Sequence, residues 1–390
     1  MDSRPAETAP VTPRTTVSGP SEGTAAPAIP VAVAARIAAA VDSSRSAGTR
    51  RAYSSGWKRF ADWCVRNGHV ALPAHPVTVA AYLVDAADTV TAVGERAYAA
   101  GTLSAWASAI NHFHQTAGYT SPTKHHLVTA ALAGIRRQYA TAGDRPRTQR
   151  APLLVSDIRN LVETARLQCD GWADDVYERR DTALLLLGFA GAFRRSELAG
   201  LECRDVTLHR EDGLHIRLRK TKTDQEGRGV VRALPATDSH ATCPPCAYVR
   251  WVQVVAAFDA GGRPSVIRLL RGGDPFDSHV CRGGVPRTAA RAPLFRAIAK
   301  NGNLGTTPLS GAAVHKTIRR RAERAGYDVA LVSQLGGHSL RSGFVTQAFR
   351  NGADAHAIMR QTGHTTPAML EHYARENAPL IGNAINDIGL

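Results

Sequence analysis

Lysine is scarce in this 390-residue chain, where six lysines stand against 42 arginines. Acidic residues are also few: 33 Asp and Glu against 48 Lys and Arg leave a formal net charge of +15 at pH 7. A coding bias can swap lysine for arginine, but it creates no excess of positive charge, so nucleic acid is the leading partner. Cysteine is sparse as well. Cys64, Cys169, Cys203, Cys243, Cys246 and Cys281 are scattered along a long chain, which excludes a small secreted disulfide scaffold and fits reduced thiols in a cytosolic protein. Cys243-Pro-Pro-Cys246 has metal-ligand spacing, but no second CxxC or HxxxH follows at a plausible distance, so no metal site is expected. Long apolar runs are missing too. The apolar segment Ala25–Val41 is broken by Pro27, Pro30 and Arg36 and has no basic leader, so it reads as neither a signal peptide nor a membrane span. No internal repeat is visible.

What is present implies two domains. Residues 1–28, rich in Pro, Thr, Ser, Ala and Gly without periodicity, read as a disordered tail. Residues 29–143 carry helical patterning. Thr49 is the expected cap of a helix whose Tyr53, Trp57, Phe60 and Cys64 form one apolar stripe. Further helices at Val77–Asp88, Thr102–Ala117 and Ser121–Tyr139 complete a small bundle. Its positive groups gather near the exit at Arg136 and Arg137. They continue through Arg145, Arg147 and Arg150 in a Gly-, Pro- and polar-rich stretch, which reads as a basic interdomain linker at 144–150.

A second domain is expected over 151–376. Ser156 is the expected cap of its first helix, and "DTALLLLGFAGAFRRSELAGL" supplies a very apolar second one. The period then changes to two. "VTLH", "LHIRLR" and "VVRALP" read as three short strands, with Asp212-Gly213 turning between the first pair. A helix at Ala247–Ala257 precedes a Gly-, Arg- and Pro-rich stretch, 258–292, that reads as a long irregular insertion. A basic helix follows at 311–326, a short helix starts at Asp354, and another starts at Thr366-Pro367 with proline in the first helical position.

The stretch "LGGHSLRSGFVTQAFRNG" (335–352) carries the first chemical signal. Leu340, Phe344, Val345, Ala348 and Phe349 recur at helical spacing, and Asn351-Gly352 ends the run. His338 and Arg341 then lie one turn apart at a helix start, where free N–H groups and partial positive charge suit a phosphate. A plain cap with a solvated arginine explains this stretch alone equally well. Other residues join it. Arg194 ends the apolar helix in "GAFRRSEL", with Glu197 one turn on, and a guanidinium beside so apolar a segment needs an assigned partner. Two of the six lysines, Lys220 and Lys222, share "RKTKT" where the second strand enters its hairpin loop. His364 stands in "QTGHTTP" and Tyr373 in "MLEHYAR". Two arginines, a lysine, two histidines and a tyrosine form a complete set for metal-free attack on a phosphodiester.

Taken in order, "FRRSEL", the hairpin lysine, "GHSLRSG", "TGH" and "HYAR" resemble the motifs of the tyrosine recombinases, the phage-integrase family. The resemblance covers about 150–376 strongly and 45–143 more weakly. It implies a mainly α fold with a small antiparallel β-sheet (α+β). An N-terminal helical core-binding (SAM-like) bundle, 29–143, would precede a tyrosine-recombinase catalytic domain, 151–376. By resemblance Arg194 and Arg341 clamp the scissile phosphate, Lys222 protonates the leaving 5′ oxygen, and His338 and His364 bond the phosphate or assist proton transfer. Glu197 orders the site, and Tyr373 becomes the 3′-phosphotyrosyl link. Lys222 fits the hairpin position better than Lys220, and the R-x-S-E-L spacing selects Arg194 over Arg195.

The resemblance further implies a site-specific DNA recombinase working through a Holliday junction, without metal or other cofactor. Its partners would be double-stranded DNA with paired inverted-repeat sites and a homotetramer of the chain on two synapsed sites. Its place would be the cytoplasm, associated with the nucleoid, with no membrane partner. Phosphate contacts are expected from Arg136, Arg137, Arg147, Arg150, Lys316, Arg319 and Arg320. The tail at 377–390 reads as a short helix with Leu380, Ile381, Ala384, Ile385 and Ile388 on one face, docked on its own domain or exchanged with a neighbouring subunit. Two other readings are a type IB topoisomerase, which shares much of the catalytic set, and a non-catalytic helix-turn-helix regulator built on "DAHAIMRQTGHTTPAMLEHYAR". The regulator leaves Arg194, Lys222 and His338 unexplained.

Overall fold

The computed structural model describes residues 30–144, 150–219, 229–272, 274, 276–368 and 370. The readings of the 1–28 tail, Arg145, Arg147, Lys220, Lys222, Tyr373 and the 377–390 helix lie outside these residues. The chain divides into two compact units, Met1–Thr148 and Gln149–Leu390. The fold is mainly helical with small antiparallel sheets, an α+β architecture. No helix among the described residues is long and apolar enough to cross a membrane.

The first unit contains α1 (Val31–Ser43), α2 (Ala47–Arg66), α3 (Pro76–Asp88), α4 (Ala100–Thr116) and α5 (His126–Ala142). Phe60, Cys64, Leu83, Leu103 and Ile110 are fully buried in its core, and Trp57 stacks on Phe113 at 4.7 Å. The cap of α2 is Ser46, whose Oγ accepts from the Thr49 N–H at 3.2 Å, so Thr49 lies inside the first turn. The sequence reading placed no helix at α1. Its apolar residues Val31, Ile37 and Val41 are exposed, which leaves no core periodicity to read.

The second unit opens with α6 (Val155–Leu167), α7 (Trp172–Ala190) and α8 (Arg195–Ala199). Ser156 does not cap α6. The carboxylate of Asp157 accepts from the Leu154 N–H at 2.7 Å and supplies the cap from the third position. The strands β1 (Val206–His209), β2 (Gly213–Leu218) and β3 (Val230–Leu234) form an antiparallel sheet in the order 1-2-3. Val206 stands opposite Ile216, and Leu214 opposite Leu234.

α9 runs Pro244–Arg271, so the expected insertion is helical over 258–271 apart from a kink. A kink at Gly261-Gly262 interrupts the periodicity. Helix resumes because Pro264 falls in the first turn after the kink, where its missing N–H has no bond to lose. A hairpin of β4 (Arg296–Ile298) and β5 (Leu304–Pro308), too short to show a clear period of two, follows. Then come α10 (Gly311–Arg324), α11 (Val329–Gln334), α12 (Gly337–Arg350) and α13 (Ala355–Thr362). Val176, Leu184, Leu187, Trp251, Val252 and Val255 put α7 and α9 at the centre of the core.

Candidate active site

α7 is buried on every side over 180–188, and its end builds half of the site. The chain leaves the helix through Gly191, Ala192 and Phe193, with Ala192 in the left-handed region at φ 46°. This turn aims two main-chain carbonyls inward. Gly191 O accepts from Arg232 Nη1 at 2.5 Å, and Ala192 O accepts from Arg341 Nη1 at 2.8 Å. Arg194 follows at once as the N-cap residue of α8. Glu197 holds it twice: Oε2 accepts from the Arg194 backbone N–H at 2.9 Å, and Oε1 from Arg194 Nη1 at 2.7 Å. The Glu197 side chain is 3% exposed and that of Arg194 21%, so the guanidinium reaches the surface on a buried tether.

α12 supplies the second half, and the two glycines before His338 have a steric reason. A Cβ at Gly336 would lie 2.3 Å from His315 Nδ1, and one at Gly337 would lie 2.7 Å from Arg195 Cβ. Further along, a Cβ at Gly343 would lie 1.8 Å from Leu153 O. The helix can therefore press against residues 151–154, where the Leu153 N–H donates to Ser339 O at 3.1 Å. On the same helix Arg341 is 2% exposed.

α13 ends at Gly363 in the left-handed region and turns His364 toward Arg341. Thr362 O accepts from Arg341 Nη1 at 2.6 Å and from Arg232 Nη2 at 3.1 Å. Arg341 Nη2 lies 2.9 Å from His364 Nε2. A guanidinium only donates, so Nε2 is the acceptor and the ring proton sits on Nδ1. From there it is donated to Thr362 Oγ1 at 2.9 Å, and that hydroxyl donates to Ile358 O at 2.8 Å. Burial first, and then the charges of Arg341, Arg194, His338 and Arg232, hold the His364 pKa down at about 4. His338 is lowered for the same reasons: burial, then Arg341, Arg194 and Arg150.

The structure thus brings Arg194, Glu197, His338, Arg341 and His364 into one electrostatic neighbourhood. It adds Arg232, which the sequence reading missed. The Arg232 side chain is 1% exposed, lies 3.7 Å from Glu197 Oε2 and packs on the Phe193 ring at 4.9 Å; burial lowers its pKa to about 10. A signal existed. In "VVRALP" the alternation puts Arg232 on the same face as core Leu234.

The expected phosphate contacts fare unequally. Arg136, Arg137 and Lys316 are exposed, and Arg136 also donates to Ser104 Oγ at 2.9 Å. Arg150 donates to Ser333 O at 3.0 Å. Arg319 is turned onto the backbone, donating to Leu335 O at 3.1 Å and to Ser333 O. Arg320 donates to Asp181 Oδ2 at 2.6 Å and stacks on Tyr177 at 4.8 Å. Asp181 is fully buried and also receives Arg180 and Arg321, so this side of α10 completes an internal ion network instead of standing free in solvent. Among the described residues, the group able to hold a metal is Cys243, Cys246, His279 and Cys281, outside this cluster. The Cys243/Cys246 pair therefore has companions after all. They arrive as H-x-C, a spacing that neither CxxC nor HxxxH describes.

Residues 298–379 match the Phage integrase family. Over 351 residues the chain is 31% identical to an integrase/recombinase xerD homolog of Selenomonas ruminantium, covering 89% of this chain and 86% of that protein. It is 24% identical over 286 residues to the recombinase cre of Escherichia phage P1, covering 72% of each. The XerH site-specific recombinase bound to palindromic difH substrate, in a post-cleavage complex, is similar at a TM-score of 0.43 and 13% identity, over 80% of this chain and 72% of that one. On the strength of its similarity to the xerD homolog along nearly its whole length, the chain belongs to the phage integrase family of tyrosine recombinases and is a site-specific DNA recombinase enzyme.

Proposed function

We propose that Tyr373 is the nucleophile of this recombinase and that Arg194 and Arg341 bind the nonbridging oxygens of the scissile phosphate. The observation that carries this reading is a convergence of donors. Among the described residues, the guanidiniums of Arg194, Arg232 and Arg341 and two histidines of lowered pKa gather in one place, with Glu197 paired to Arg194 and close to Arg232. Such a cluster suits a phosphodiester monoanion. Arg232, being buried, positions the backbone that holds Arg341. As the phenolic oxygen of Tyr373 attacks phosphorus its proton passes to neutral His338, the bond to the 5′ oxygen breaks, and Lys222 delivers a proton to that oxygen. A 5′ hydroxyl reverses the step on the partner strand, so the phosphotyrosyl bond conserves the energy for religation. His338, its pKa lowered by burial and neighbouring arginines, serves the phosphate and the proton transfer from an uncharged start. Neutral His364, accepting from Arg341 through Nε2 and donating to Thr362 through Nδ1, holds the Arg341 guanidinium in place.

In this reading two protomers bind the inverted repeats of one site, and two sites pair in a homotetramer that passes through a Holliday junction on nucleoid DNA in the cytoplasm. The 29–143 bundle and the 144–150 linker bind DNA beside the 151–376 catalytic domain, with Arg136, Arg137, Arg147, Arg150 and Lys316 on phosphates. The 377–390 helix passes to a neighbouring subunit. Tyr373→Phe tests the chemistry: the variant keeps DNA binding in a gel-shift assay and forms no covalent adduct with a nicked suicide substrate. Adduct in undiminished yield places the nucleophile elsewhere.

A further inference from the structure

Four ligating side chains with no part in the recombination cluster converge where α9 begins. Cys243 is the N-cap residue of α9, and Cys246 lies in its first turn after Pro244 and Pro245. One turn of helix sets the two thiols side by side. The segment that follows Asp274 returns to them with His279 and Cys281. The three Sγ atoms and a His279 ring nitrogen all lie within 4.8 Å of one another. Cys246 Sγ is 3.3 Å and Cys281 Sγ 3.9 Å from His279 Nδ1. A tetrahedral zinc with three sulfurs and one nitrogen has ligand–ligand edges of about 3.5–3.8 Å. The four atoms need to close by no more than about 1 Å to reach that geometry.

Two further observations point to a ligand. Cys243 and Cys246 are fully buried and Cys281 is 7% exposed, so water does not solvate these sulfurs. His279 also has its outer contact in place: Nε2 lies 3.3 Å from Asp238 O. A metal-bound imidazole characteristically donates its second N–H to a carbonyl or carboxylate. With Nε2–H on that carbonyl, Nδ1 faces the sulfurs with its lone pair available. The same segment is tethered at its other end, where Asp274 pairs with Arg179 at 3.2 Å and with Arg250, and Phe276 lies under both guanidiniums at 4.2 and 4.6 Å.

We infer that Cys243, Cys246, His279 and Cys281 form a structural Cys3His zinc site that fastens the 276–281 segment to the start of α9. Four protein ligands leave no position for water or substrate, which is the arrangement of a structural and not a catalytic zinc. Zinc takes the three sulfurs as thiolates and the imidazole neutral, so binding releases the thiol protons.

The test is metal content and spectroscopy on the untagged full-length chain, purified from zinc-supplemented cells without chelator. Elemental analysis after gel filtration gives one zinc per chain, and Cys64→Ser keeps it. Cys246→Ser and Cys281→Ser fall to background. Because either ligand variant can misfold, cobalt is also titrated into the reduced wild-type chain freed of zinc. The titration saturates at one equivalent, with thiolate-to-cobalt charge-transfer absorption and the intense visible bands of tetrahedral cobalt. Background zinc together with no thiolate–cobalt absorption overturns the inference. So does full zinc retention in both ligand variants, or peptide mapping that finds Cys243 and Cys246 joined as a disulfide in metal-free protein.

Discussion

Replacing Arg232 by methionine tests whether a residue almost wholly shut from solvent sustains the proposed phosphate clamp. Methionine keeps most of the stem volume, so the loss is polar. Nη1 gives up Gly191 O at 2.5 Å, Nη2 gives up Thr362 O at 3.1 Å, and Glu197 loses a partner at 3.7 Å. A buried hydrogen bond from a charged donor contributes about 1.5–3 kcal/mol. Against this stands the guanidinium's own desolvation, visible in its pKa of about 10 and in an Nε with no partner among the described residues. Removing one member of a buried charged set costs about 3–5 kcal/mol, and the low end applies here because Glu197 keeps Arg194. At roughly 2–4 °C per kcal/mol for a unit of this size, Tm falls by about 6–12 °C. Calorimetry of the full chain at neutral pH measures it. Arg232→Lys falls between, since one ammonium cannot span both carbonyls as the planar fork does. Because Arg341 shares Thr362 O and the 191–193 turn, suicide-substrate cleavage by Arg232→Met also slows at temperatures where the variant is folded. A Tm within about 2 °C of wild type, with an unchanged cleavage rate, refutes the reasoning.

Three other outcomes are expected. Lys222→Ala slows cleavage of an ordinary 5′ oxygen severely but recovers on a 5′-bridging phosphorothiolate, whose sulfur leaves without a proton. If Lys220→Ala shows that rescue instead, the hairpin register is shifted. His364 sits at about 4 in the fold and near 6.5 when unfolded, so only the unfolded chain takes up its proton between these values. The stability it contributes is therefore complete above about pH 6.5 and is lost on acidification toward pH 4, by up to about 3 kcal/mol. Urea midpoints at pH 4.5–7 fall less steeply for His364→Gln than for wild type, and parallel slopes argue against the assignment. Gly343→Ala places a methyl carbon 1.8 Å from Leu153 O, a backbone atom that cannot swing aside. A loss of about 2–3 kcal/mol follows, and a neutral effect shows that the 151–154 segment yields freely.

The parts of the site written locally in the sequence were legible there. Arg194 and Glu197 are three positions apart on a helix start, and His338 and Arg341 share another, so spacing alone brings each pair together. The alternation in "VVRALP" marks Arg232 as inward-facing but not what it meets, because its partners are main-chain carbonyls 41 and 130 positions away and no side-chain pattern records them. The same limit hid the companions of Cys246, with His279 lying 33 positions on. Caps were misread where two acceptors competed: Ser46 precedes Thr49, and Asp157 follows Ser156. Charge pattern alone also does not say what the arginines of α10 meet. A run of arginines looks alike whether it faces water or, like Arg320 and Arg321, a carboxylate buried on another helix.

Among the described residues the fold gathers the guanidiniums of Arg194, Arg232 and Arg341 around Glu197 and Thr362. If the proposed roles of Arg194 and Arg341 hold, a phosphate bound there adds to the stability of the fold, and the DNA backbone acts as a part of the folded protein supplied from outside. Occupancy of the site then appears as heat resistance, in proportion to ligand concentration over its dissociation constant. Selection runs into the same coupling. A screen for thermostable variants without DNA will favour an acidic residue placed beside Arg194 or Arg341, because a carboxylate pairs with a guanidinium as a phosphate does. On the proposed roles of Arg194 and Arg341, such variants will survive heating and fail to recombine, having filled from within the place kept for substrate.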